Sequence, residues 1–520
     1  MRNVTFIDSK EAANLIPNGA RIGTCGFMLT GAVEEIFIEI EKKFLETKTP
    51  NQLSVMWASG VGDGADVRGL NHLCHEGLLK EVIGGHYGLI KKMIPLVVNN
   101  KVTAYNFPQG VLCQMFREMA AKKPGVLTHV GLGTFVDPDY DGGKLNEITT
   151  EDKVKKVNFD GQDYLFYKSQ KIDFALIRGT EADENGNISL RKEALTLESL
   201  AVAMAAKNNG GKVVVQVEKQ VKNGTIEPKD VKIPGIIVDY VVIVENKKNH
   251  MQTAGTQYNE DFISSRTILE SEVKKIPLDE RKIIARRCAL QIDSSKKVLN
   301  YGIGVPERVA DVLKEEGIDH NFVATVEPGV IGGAAQGGLN FGSAIAPEAI
   351  IDEPYQFDFY DGGGIDITFL GMAQCDEDAN LNVSKFGPKI AGCGGFIDIS
   401  QNSKEVVFCG TFTANGLKVE ICNGKLKIVE EGKVKKFIKR VEQITFNGKL
   451  QRMKLDTKVT LVTERAVFSL RPEGLVLSEI APGIDLDKDI LEQMEFNPII
   501  AHDLKEMDPR IFRECVMGLL

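Results

Sequence analysis

Ile172-Asp-Phe-Ala-Leu-Ile-Arg-Gly179 is echoed, almost two hundred residues later, by Ile365-Asp-Ile-Thr-Phe-Leu-Gly371. Each is a short apolar run entered through an Asp and left at a Gly, which reads as a buried strand ending in a turn. Each is followed at similar distance by a polar turn, Ala182-Asp-Glu-Asn-Gly-Asn-Ile188 in the first case and Cys375-Asp-Glu-Asp-Ala-Asn-Leu381 in the second. Upstream, the strand-to-glycine turn Arg21-Ile-Gly-Thr-Cys-Gly-Phe27 is matched by Leu299-Asn-Tyr-Gly-Ile-Gly-Val305. Features that recur in the same order are an internal repeat, and a repeat sets the fold. The spacing is uneven, 157 residues from Gly26 to Asp183 against 72 from Gly304 to Asp376, so the first copy carries extra material.

Around these anchors, β-branched runs alternate with longer amphipathic stretches, the pattern of an α/β protein. Lys212–Val217, Val238–Val244 and Glu405–Phe408 read as strands, and Ala32–Leu45 and Arg281–Ile292 as helices. A chain of 520 residues exceeds one ordinary core, so two domains are expected. The polar stretch from Glu245 to about Asp279 has little periodicity and reads as a connector. The expected division is therefore an N-terminal domain over 1–245, a connector over 246–280 and a C-terminal domain over 281–520. A ligand site is expected at the boundary of the two related halves.

The net charge is −9 with one Trp and no basic block, which argues against nucleic acid as a partner. The N-terminus lacks the apolar core of a secretory signal, and no apolar run approaches the length of a membrane span. Nine scattered cysteines fit free thiols in a reduced, cytoplasmic setting. Glycine, at 51 residues, is enriched and clustered, as in Gly362-Gly363-Gly364 and Gly392-Cys393-Gly394-Gly395, which suggests backbone lying close to a ligand.

The densest cluster is Val326-Glu-Pro-Gly-Val-Ile-Gly-Gly333, where a single carboxylate stands at a strand end before a sharp turn. Taken alone, Glu327 can equally cap that turn or pair with a lysine. The glycine turns at 360–366 and 391–396 add backbone N–H groups able to hold an oxyanion, although any one of them also reads as a tight turn needing positive φ. Three weaker signals are set aside. His72, Cys74 and His75 lie close together but lack a second ligand pair of zinc type. Gly302-Ile-Gly-Val-Pro-Glu307 opens like a dinucleotide loop but has Glu307 in place of the third glycine. The cysteines show no catalytic arrangement with His.

The combination resembles the family I CoA-transferases, specifically the single-chain propionate/acetate type. The resemblance is carried by Glu-x-Gly-x-x-Gly-Gly at Glu327–Gly333, by Phe359–Gly371 and Asp376–Asn382, and by Gly392–Phe396 and Gly302–Pro306. Pro108-Gln-Gly-Val-Leu112 also matches, with Val111 where the family has Thr. One departure is Pro328, where the propionate enzymes tend to have Ser, which bears on acid preference. The resemblance covers nearly the whole chain. It implies two open α/β domains of the ribose-phosphate isomerase-like superfold, with the active site between them. It implies CoA transfer between short-chain acyl-CoA (acetyl-, propionyl-, butyryl- or lactoyl-CoA) and a free carboxylate, with Glu327 as covalent nucleophile. Gly394, Gly395, Gly304 and Val305 become oxyanion-hole candidates. Gln109 is implied in the carboxylate pocket, with Gly329, Gly363, Gly364, Lys385 and Lys389 toward CoA. No metal or cofactor is implied, CoA being a substrate, and the assembly expected is a homotetramer. A thioesterase using Glu327 as a base, or a non-catalytic ligand sensor of the same fold, stand as alternatives.

Overall fold

A parallel strand covered on both faces needs a continuous apolar run, and Lys212–Val217 supplies one whose Val213, Val214, Val215 and Val217 are fully buried. It belongs to a sheet of parallel strands in the computed structural model, which describes residues 4–265, 276–453 and 457–519. In chain order the strands are β1 (Thr5–Ile7), β2 (Arg21–Thr24), β3 (Leu53–Trp57), β4 (Leu79–Gly84), β5 (Thr103–Asn106), β6 (Phe174–Arg178), β7 (Lys212–Val217) and β8 (Tyr240–Ile243). Their spatial order is β1-β8-β7-β6-β2-β3-β4-β5. Helices α1 (Glu34–Thr47), α2 (Gln109–Ala120) and α3 (Ser199–Asn208) accompany this sheet. On α1 the apolar face is Ile36, Phe37, Ile40 and Phe44, and the helix stops at Lys48 in the left-handed conformation.

A second sheet is built from β9 (Val298–Tyr301), β10 (Val323–Val326), β11 (Ile367–Gly371), β12 (Glu405–Cys409), β13 (Lys458–Val462), β14 (Ala466–Arg471), β15 (Gly474–Ile480) and β16 (Ile499–Glu506). They run in the order β10-β9-β11-β12-β13-β14-β15-β16. From β10 to β13 the pairing is parallel, and the β13–β14 and β14–β15 pairs are antiparallel. Helix α4 (Glu280–Ala289) carries the buried Arg286, whose guanidinium donates to the Ile511 and Cys515 carbonyls. Helix α5 (Glu307–Glu315) follows β9, and α6 (Glu353–Asp361) precedes β11.

The repeat seen in sequence is a structural repeat. β6 lies between β2 and β7, as β11 lies between β9 and β12, all in parallel register. The shared Asp has the same task twice. Asp173 accepts from the Arg21 N–H at 2.9 Å at the start of β2, and Asp366 accepts from the Val298 N–H at 3.0 Å at the start of β9. The polar turns agree as well. Asp183 accepts from the N–H groups of Asn185 and Asn187, and Asp376 from those of Asp378 and Asn380. Each is a local Asx-type closure of a short antiparallel pair.

The compact units do not follow chain order. One comprises Met1–Arg266, Glu327–Asp358 and Phe386–Asp398, and the other Thr267–Val326, Phe359–Lys385 and Ile399–Leu520. The expected halves 1–245 and 281–520 therefore each match a unit only in part, because two later segments pack with the N-terminal residues. Residues 266–275 of the expected connector lie outside the described residues. Its earlier part is no loose crossing: Glu35 accepts from the N–H groups of Glu245 and Asn246, and His250, Gln252, Thr253 and Phe262 are buried. Among the described residues, no helix is long and apolar enough to cross a membrane.

Candidate active site

Glu327 follows β10 directly and opens the segment that packs with the first unit. The chain behind it folds into two small antiparallel pairs, Val330–Ile331 with Ala349–Ile350 and Ala334–Ala335 with Ala344–Ile345. The glycines of the motif make these close approaches. A Cβ on Gly329 (φ +114°) would lie 2.1 Å from the Ile351 carbonyl oxygen, and one on Gly333 (φ +72°) 2.6 Å from that of Ile345. Gly329 is thus required by its own backbone neighbours, which accounts for it without a CoA contact.

The Glu327 carboxyl is half-buried, and desolvation pushes its pKa up to about 7. It faces the second glycine cluster. A Cβ on Gly395 would sit 3.0 Å from Glu327 Oε2 and 3.1 Å from the Phe357 ring, so glycine leaves the space this carboxylate uses. The neighbouring turn is pinned from the first sheet. The Cys393 N–H donates to Asn106 Oδ1 at 3.0 Å, and the Gly394 N–H to the Gly85 carbonyl at 2.8 Å. Asn106 holds that wall by donating to the carbonyls of Gly84 and Gly85.

The two expected oxyanion donors here separate. The Gly394 N–H is committed to Gly85, whereas the Gly395 N–H has no acceptor among the described residues, and the Cβ side of Gly395 faces Glu327. Gly304 and Val305 belong to the second unit. There the Gly304 N–H donates to Glu307 Oε1 at 3.0 Å, just before α5, and Val305 is half-buried. The Gly304 N–H is thus engaged within its own turn.

Gln109 begins α2 and is buried; its N–H donates to the Gly394 carbonyl at 2.9 Å, and its Nε2 to Glu353 Oε1 at 2.6 Å. Gly110 lets this helix end approach closely, since a Cβ there would meet Asp398 Oδ1 and the Phe357 ring at 2.5 Å. Gly363 and Gly364 lie in the second unit and end α6, their N–H groups donating to the carbonyls of Tyr360 and Phe359. That is a helix C-cap, with Gly363 at φ +84°, and it leaves neither N–H for CoA. Lys385, in the second unit, stands 3.7 Å from Glu442, and Lys389, in the first, is exposed.

Several residues near Glu327 escaped the sequence reading. Glu353 and Glu198 are fully buried carboxyls whose oxygens lie within 4.8 Å of each other and of Cys113 Sγ. Burial, then the charge of Glu198, raises the Glu353 carboxyl well above the usual range. His86 packs near Gly394, and burial holds its imidazole down to about 4, hence neutral. In sequence, Glu353 before Pro354 is indistinguishable from a helix start, and nothing local marks Glu198. His72 and His75 are claimed by carboxylates: Glu41 meets both, at 2.5 and 2.6 Å, and Glu34 also meets His72. All nine cysteines are free thiols, seven of them buried.

Residues 6–244 match the family described as coenzyme A transferase. The chain is 47% identical to a caffeate CoA-transferase of Acetobacterium woodii, over 99% of this chain and 98% of that protein. It is 44% identical to the acetate CoA-transferase YdiF of Escherichia coli O157:H7, over 99% and 97% respectively. Two crystal structures of the YdiF acyl-CoA transferase superpose on it over 100% of this chain and 98% of theirs at 43% identity. One is the apoenzyme, with a TM-score of 0.93, and the other a thioester complex with CoA, with a TM-score of 0.92. The α/β fold of the present chain is the fold of those structures.

Proposed function

We propose, from the premise that this chain belongs to the coenzyme A transferase family and is a CoA-transferase, that it works by ping-pong transfer through a thioester on Glu327. The Glu327 carboxylate attacks the acyl-CoA carbonyl; the C–S bond breaks, leaving an acyl-glutamyl anhydride and CoA thiolate. The thiolate attacks the glutamyl carbonyl, releasing the first acid and leaving glutamyl-CoA. The carboxylate of the second acid then attacks the glutamyl carbonyl, expelling the thiolate, which takes the new acyl group from the anhydride. Each step keeps an activated acyl bond, so no redox partner enters.

The observation that carries this reading is the Glu327 carboxyl held against Gly395, beside an N–H without an acceptor. Desolvation makes the carboxylate a stronger nucleophile, and the N–H meets the oxyanion that develops on the attacked carbonyl. The CoA thioester crystallised in the related YdiF enzyme supports the same intermediate. Acceptor acids of two to four carbons follow from the sequence resemblance and from the acetate relative. A second acceptor class, hydroxycinnamates, is favoured by the 47% identity to the caffeate enzyme.

The test is intact-protein mass spectrometry after incubation with acetyl-CoA alone. A CoA adduct should appear on the peptide holding Thr325–Val330, vanish when an acceptor acid is added, and be absent from Glu327→Ala. An adduct that persists in Glu327→Ala, or CoA release at the same rate with and without acceptor, overturns the mechanism. Running acetate, propionate, butyrate, lactate and caffeate as acceptors separates the two classes, since one methylene changes binding by about 1–3 kcal/mol and grades a series without abolishing it.

A further inference from the structure

We propose that Glu198 and Glu353 share a single proton, held on Glu353, and that this pair is a positioning device that fixes which side of the Gln109 amide faces the Gly394 turn. The inference rests on the reading of Glu327 as nucleophile and adds a role for two residues that reading does not use.

Geometry requires the proton. Two carboxyls and a thiol within 4.8 Å of one another, all buried, cannot hold two negative charges without a cation between them. Among the described residues, the groups facing the pair do not supply one. They are Cys25, Cys113, Asp352 and Glu327, with Asp398 acting on Cys113. Arg178 is bound to Glu193, Arg117 is held by Asp358, and Lys232 is paired with Asp352. Glu353 Oε1 accepts from Gln109, while Glu353 Oε2 and both Glu198 oxygens have no hydrogen-bond donor among the described residues, so the proton is placed on Glu353 Oε2, toward Glu198.

The consequence reaches Gln109. If Glu353 Oε2 donates to Glu198, its Oε1 is left as an acceptor, and Gln109 must present its NH2 to it, as it does at 2.6 Å. The amide carbonyl is then forced to the other side, where a Cβ on Gly394 would lie 3.6 Å from Gln109 Oε1. The pair thus fixes an amide that could otherwise flip, within the turn that borders Glu327.

Three variants test this by exchange between acetyl-CoA and propionate from about pH 5.5 to pH 9. Glu353→Gln reproduces the protonated carboxyl, its NH2 donating to Glu198 and its carbonyl accepting from Gln109, and should keep turnover within about threefold of wild type. Glu353→Leu leaves the Gln109 NH2 without an acceptor and should lose about tenfold or more. Glu198→Gln removes the charge that keeps Glu353 protonated, so the negative charge passes to Glu353, which faces Glu327, and the acid limb of kcat/KM should move to higher pH, while Glu353→Gln leaves it in place. The proposal is overturned if Glu353→Gln is as slow as Glu353→Leu, or if Glu198→Gln leaves the acid limb unmoved. Stoichiometric metal in elemental analysis of the wild type, lost in Glu353→Gln, overturns it equally. Should Glu353→Leu not fold, the two Gln variants still decide the matter. Adduct formation by the wild type with acetyl-CoA is read separately, so failure of the Glu327 mechanism is distinct from failure of the pair.

Discussion

At the scale of a residue, Glu327 couples rate and stability through one proton. Burial pushes its carboxyl up from the ordinary value of 4.5 to about 7 on folding. Between those values the folded state binds the proton more tightly, so stability conferred by the protonated form is lost as pH rises through that window. The carboxylate that attacks is therefore a destabilised one, and the rate should fall about tenfold per unit below pH 7. Glu327→Gln keeps the shape without the charge. By urea denaturation at about pH 8 it should be more stable than wild type by roughly 2–3 kcal/mol, and the gap should close near pH 4. Equal stabilities at both values would show that the carboxylate is not desolvated. The same residue scale separates Gly394 from Gly395: adjacent and alike in sequence, they differ in whether the N–H already has an acceptor.

At the scale of an element, the glycine turns have different masters, and substitution should expose them. Gly329→Ala drives a Cβ to 2.1 Å from a backbone oxygen that cannot rotate away, and should disrupt the segment that presents Glu327, with a lowered melting temperature and lost adduct formation. In Gly363→Ala the nearest atom outside the turn is 3.8 Å away, so the expected cost is only the left-handed backbone, about 1–2 kcal/mol. Similar melting temperatures for the two variants would contradict this division. Here also lies the measure of what the sequence could say. The strands and the repeat were legible because burial on both faces writes continuous apolar runs, and because the repeated Asp173 and Asp366 cap neighbouring strands with their own side chains. The function of a glycine was not, since Gly363 in a helix cap and Gly395 beside a carboxylate leave the same letter. Glu198 and Glu353 were invisible for a related reason: their pairing spans 155 positions and depends on folding alone.

At the scale of the molecule, the chain is sewn so that its second half contributes to both units. The pattern of repeats predicts two successive domains, but Glu327–Asp358 and Phe386–Asp398 are packed with the first. These segments bring Glu353 to Gln109, Phe341 to Phe27 with ring centroids 5.6 Å apart, and the Cys393 N–H to Asn106. A fragment ending at residue 270 would therefore lose partners for buried polar groups and uncover aromatic surface, each unpaired buried donor or acceptor costing about 1–3 kcal/mol. Against the few kcal/mol by which domains are stable, that loss is decisive. Expressed alone, residues 1–270 should be aggregated or should bind a hydrophobic dye. Co-expressed with residues 271–520 they should yield a soluble complex that forms the CoA adduct, because the cut breaks no pairing within either sheet. A monomeric 1–270 fragment with a cooperative melt would mean that the later segments only decorate a finished domain, and that the site around Glu327 is not a structural part of the first unit.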